Sequence, residues 1–135
     1  MAVRPDGRIV VAGSTSRGGD MLVARLRRDG SLDPRFGQRG LRRVGFGDDD
    51  LAFDMSLRPD GRIVVAGRGG RASTMAVARL RPGGAPDPAF GRRGRATVDF
   101  AGDRDTALAL AVGRDGRFVL AGSSDVQVAV TRLLG

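Results

Sequence analysis

The densest carboxylate chemistry in the chain is Asp48-Asp49-Asp50, and Asp103-Arg104-Asp105 stands at the matching place one repeat later. Such clusters suggest two chemistries. A hard cation such as Ca²⁺ gathers about six to eight oxygen ligands, and Asp48, Asp50, Asp103 and Asp105 are the donors this sequence offers. Arg104 puts a positive charge inside the second cluster and weakens that reading, so a solvated acidic loop paired with nearby arginines is preferred and no metal is expected. A hydrolase or lyase is the other chemistry. It would need one of these aspartates with a raised pKa facing another that stays ionised. A third set is cationic: Arg25, Arg79 and Arg132 fall at one equivalent position in successive units, each among apolar neighbours. Asp33 and Asp87 are the expected ion-pair partners in the first two units. The alternative for these arginines is a basic ring that holds an anion.

The composition narrows the choice. Among 135 residues there is no His, Lys, Glu, Asn, Tyr, Trp or Cys. The usual general base, the Schiff-base lysine, the thiolate nucleophile and the commonest metal ligand are all missing. An enzyme would have to work with Asp, Arg, Ser and Thr, so a non-enzymatic protein without a cofactor is expected. The net charge of +8 invites a nucleic-acid reading. The arginines are spread along the whole chain, however, and the only aromatics are six Phe, a poor supply for base stacking. No apolar run approaches the roughly 20 residues of a membrane helix, so membrane insertion is not expected.

The elements that position these residues come from a repeat. RPDGRIVVAG at residues 4–13 returns letter for letter at 58–67 and, more loosely, as GRDGRFVLAG at 113–122. The offset of 54 holds without a gap from Arg4–Phe46 to Arg58–Phe100, with about 25 of about 42 positions identical, far above chance for a repeat. Ala101 then moves the offset to 55. The units are about 4–57, 58–112 and a truncated 113–135, all within a single repeat domain covering 1–135.

Each unit reads as four short strands. In the first unit they are Ile9–Ala12, closed by Gly13; Leu22–Arg27; a short stretch around Leu41–Phe46; and Ala52–Leu57, which runs into the next Pro-Asp-Gly. No helical period competes. In Pro59-Asp60-Gly61, proline presets φ, aspartate tolerates the next position, and glycine takes the left-handed backbone that closes the turn. Gly7, Gly61 and Gly116 are therefore structural. Arg114 replaces proline in the third copy, and a looser turn is expected there. Four-stranded units of just over 50 residues fit the blades of a β-propeller. The expected fold is all-β, with four-stranded antiparallel blades, slightly under three of them.

The combined pattern Pro59–Gly67, Val77-Ala78-Arg79-Leu80 and Asp87-Pro88-Ala89-Phe90-Gly91 resembles the bacterial delta-60 repeat family. The resemblance covers nearly the whole chain. It implies propeller-like blades acting as a scaffold, in long bacterial proteins of which many are exported, and it brings no catalytic set or ligand. The N-terminus starts inside a repeat, so any targeting segment of a longer parent protein would be absent here; for such a parent, the resemblance implies an envelope or extracellular setting. The reading that follows is a non-enzymatic scaffold or binding module that presents loops to a protein or glycan partner. The alternatives are the aspartate-based hydrolase or lyase and an arginine-based anion or nucleic-acid binder. The last apolar strand, 126–134, leaves an open edge through which two copies could associate.

Overall fold

A computed structural model describes residues 1–15, 19–71, 73–100, 104–125 and 127–134. Among these described residues, eleven strands fall in three antiparallel sheets in chain order. The first blade contains β1 (Ala2–Val3), β2 (Ile9–Ser14), β3 (Met21–Leu26) and β4 (Leu41–Val44). The second contains β5 (Leu51–Leu57), β6 (Ile63–Gly69), β7 (Thr74–Leu80) and β8 (Arg95–Val98). The third contains β9 (Asp105–Val112), β10 (Phe118–Ser124) and β11 (Gln127–Leu133). Each blade is a meander, so sequence neighbours pair in space, and no helix occurs among the described residues.

The repeated Ile-Val-Val-Ala run is explained by the middle blade. Successive residues of a strand point to opposite faces of its sheet. In β6, Ile63 and Val65 join Val10, Met21, Val23 and Phe36 of the first blade in one apolar cluster. Val64 and Ala66 join Ala107, Phe118, Leu120 and Ala129 of the third blade in another. A strand buried on both faces needs no polar alternation, so the run is continuously apolar.

The Pro-Asp-Gly hairpins close as the turn chemistry requires. Gly7, Gly61 and Gly116 have φ of 77°, 79° and 81°. The amide of Gly61 donates to the Arg58 carbonyl at 2.9 Å, and that of Gly116 donates to the Gly113 carbonyl at 3.0 Å. Arg114 therefore does not loosen the third turn. The hydrogen bond lies between the flanking residues and needs no proline.

One expectation is corrected. The glycine after Val-Val-Ala does not end its strand: β2, β6 and β10 all run past it. The innermost strands β5 and β9 carry a bulge opposite, between Ala52 and Asp54 and beside Gly122. A Cβ on Gly67 would sit 1.9 Å from the Leu51 carbonyl oxygen, and one on Gly122 would sit 1.8 Å from that of Thr106. Glycine permits the close approach of the bulged neighbour. The last strand, expected at 126–134, spans Gln127–Leu133; Val126 lies outside the described residues, as does Ala101.

Candidate functional site

The strongest polar construction grows from the corner after the third strand of each complete unit. β3 ends with Arg25-Leu26, and after a tight turn the chain returns through Asp33-Pro34. The Asp33 amide donates to the Arg25 carbonyl at 2.8 Å, which fixes the aspartate beside that arginine. Arg25 Nε then donates to Asp33 Oδ2 at 2.9 Å, and Arg8 Nε donates to the same oxygen at 3.0 Å. The Arg35 amide donates to Oδ1. The Arg25 guanidinium also lies over the Phe36 ring, 5.0 Å from its centre.

The second unit repeats this arrangement. Arg62 Nε donates to Asp87 Oδ2 at 2.8 Å, and Arg79 Nε lies 2.9 Å from that oxygen as an ion pair whose N–H is not aligned for a hydrogen bond. Arg79 sits 5.1 Å over Phe90. Arg25 and Arg79 are only 8% and 6% exposed, and both aspartates are buried. Burial alone would raise the Asp33 carboxyl. The Arg35 amide and the Arg25 and Arg8 guanidiniums favour its charged form and hold it below its ordinary value. Asp87 is likewise held low, its burial outweighed by Arg62, the Ala89 amide and Arg79.

These ties also join blades. Arg25 Nη1 donates to the Pro82 carbonyl at 2.7 Å, from the first blade to the corner of the second. Arg58 Nη1 reaches the Gly116 carbonyl at 3.2 Å, from the second blade to the turn of the third. Asp54 Oδ2 accepts the Leu110 amide at 2.7 Å between the innermost strands. Arg8 and Arg62 were missed as partners of Asp33 and Asp87. Their signal was present in the sequence, since each follows its Pro-Asp-Gly turn directly. Arg132 differs from Arg25 and Arg79. It holds the equivalent register, opposite Val119 as Arg79 is opposite Val64, yet it is exposed. The sequence contains no third Asp-Pro corner to cover it.

The acidic clusters divide. Asp48 is exposed and pairs with Arg71 at 2.8 Å. Asp50 turns inward, where its two oxygens accept the amides of Phe46 and Gly70. Asp105 repeats the inward position and accepts the Phe100 amide at 2.7 Å. Its Oδ1 is buried without a partner among the described residues. Asp103 lies outside the described residues. Among those described, no group of three carboxylates could hold a metal ion.

Repeated antiparallel meanders, four-stranded in the first two units and packed face to face with the short strands β4 and β8 outermost, are the blades of a β-propeller. Residues 4–36 and 58–90, the same segment of the two complete repeats, match the family described as "Domain of unknown function (DUF5122) beta-propeller". No curated protein and no solved structure matches the chain.

Proposed function

We propose that this chain is a non-enzymatic β-propeller scaffold, a binding module whose loops are presented to a protein or glycan partner. One observation carries the reading. The buried Arg25–Asp33 and Arg79–Asp87 pairs that sequence chemistry singled out are engaged in holding strand to corner, twice over at a spacing of 54 residues, and Arg25 also reaches the next blade. A catalytic carboxylate needs a free face toward substrate and a pKa set for proton transfer. Asp33 and Asp87 are instead held below their ordinary value by the arginines and amides that engage them. The likeness to bacterial delta-60 repeats supports a scaffold role in an envelope or extracellular setting. The competing hydrolase or lyase rests on Asp48–Asp50 and Asp103/Asp105. Replacing Asp48 with Asn tests it in a general glycan-cleavage screen. The scaffold reading expects no turnover by either form, whereas turnover lost on Asp48→Asn with unchanged melting would contradict it.

A second reading concerns assembly, and exposure on the terminal blades favours it. Met75 and Val77 are fully buried against the third blade, while their counterparts Val128 and Val130 are 87% and 59% exposed. On the first blade, Ile9, Val11, Leu22 and Leu26 are only half-buried, although their counterparts Ile63, Val65, Ala76 and Leu80 are buried. The two open faces are thus the two halves of an interface the chain already forms internally. We infer that a second copy docks its first blade on the third blade of the other.

A further inference from the structure

The net charge is unevenly placed. Residues 35–47 and 88–98, the outer strands and their corners, hold seven arginines and no aspartate; elsewhere 16 arginines face 15 aspartates. Two of these outer segments meet in a groove between the first and second blades. One part, of about 660 Å³, is lined by Gly45, Phe46, Arg92, Arg93, Arg95 and Ala96 among others. The adjoining part, of about 260 Å³, adds Arg43 and Leu80. No carboxylate is among the described residues lining either part. Arg95 spans the floor: its Nη1 donates to the Gly45 carbonyl and its guanidinium lies over the Phe46 ring. Arg43, Arg92 and Arg93 are exposed and form no ion pair among the described residues.

We propose that this interblade groove binds an acidic oligosaccharide, with Arg43, Arg92 and Arg93 taking its carboxylates and Ala96 lying against the C–H face of a sugar ring. The proposal rests on the scaffold reading and names its ligand. Three reasons select this chemistry. Guanidinium groups pair with carboxylates in a two-pronged geometry that a lysine cannot reproduce. The groove has the size of a small-ligand cleft, mostly preformed, with few polar groups in defined places. The one aromatic lining the groove among the described residues, Phe46, is already covered by Arg95, whereas single-stranded nucleic acid is held by successive bases stacked on free aromatic faces.

The test is calorimetric binding of a short polyuronate to the intact chain at physiological ionic strength, with an oligodeoxynucleotide of equal charge as comparison. Arg93 has φ 54° and Arg39, outside the groove, has φ 53°. Asparagine accepts that backbone at both sites, so Arg93→Asn and Arg39→Asn remove the same charge from the same local geometry. Arg93→Asn should weaken polyuronate binding about tenfold, as expected for losing a charge-assisted contact. Arg39→Asn should weaken it less than about twofold, as expected for an exposed charge acting only through screened water. The oligonucleotide should bind more weakly than the polyuronate. Equal losses in the two variants, equal affinity for the oligonucleotide, or no polyuronate binding by a chain that melts cooperatively would overturn the proposal. The length of the recovered polyuronate reports separately on the scaffold reading: shortening would contradict that reading, while intact polymer that never bound contradicts the groove alone.

Discussion

Asp87 concentrates the chemistry of the fold in one carboxylate. It sits between two guanidiniums, and removing it would leave Arg79, 6% exposed, without its counter-charge. Stranding a buried charge in this way costs about 3–5 kcal/mol. Asp87→Ala should therefore lower unfolding free energy by that order in urea titration, while exposed Asp48→Ala should change it by less than about 0.5 kcal/mol. The same carboxylates set the acid response. Asp33 and Asp87 have folded values below their ordinary 3.8. Their contribution is complete above that value and is lost as pH falls through the lower folded values. With no His, Lys, Glu, Tyr or Cys in the chain, side-chain titration offers no reason for stability to change between roughly pH 5 and pH 11. Melting followed across pH should give a plateau there and a fall only in acid; a step near neutrality would contradict this. The pairing of Arg25 with Asp33 was legible because both recur within one corner. The third partner, Arg8, recurs as Arg62 after each Pro-Asp-Gly turn, but which aspartate it meets was not legible, because that contact is made across 25 residues by the packing of a turn against the corner.

The strands show where local pattern ceases to be enough. Pro-Asp-Gly turns could be read from the sequence because their geometry depends on adjacent residues alone. The glycine of Val-Val-Ala-Gly could not, because its reason lies in another strand. Gly67 faces the bulged backbone of β5, while Gly13, its counterpart in the first blade, has nothing within 4 Å of where a Cβ would stand. Identical sequence thus predicts opposite outcomes. Gly67→Ala should destabilise by about 1–3 kcal/mol through overpacking against backbone. Gly13→Ala should be neutral, or stabilise by up to about 1 kcal/mol by restricting the unfolded chain. Paired thermal denaturation of the two variants checks the bulge directly, and equal losses would show that the glycines serve the strand and not the neighbour.

Taken together, the three blades repeat one packing solution, and their number explains what the sequence could and could not disclose. The period and the strand order were readable, since a repeat reports its own copies. The interblade groove was not, because Arg43 and Arg93 stand 50 residues apart and converge only when one blade is laid on the next. The same stacking leaves Val128 and Val130 in water and half-exposes the opposite face of the first blade. The fold is therefore built by covering one blade face with another. Absolute mass in solution across a concentration series tests this most directly, with Val128→Asp/Val130→Asp as the comparison. Mass rising from 14.1 kDa toward twice that value, and held at the single-chain value by the paired aspartates, is the predicted result. A mass of one chain at every concentration would contradict it.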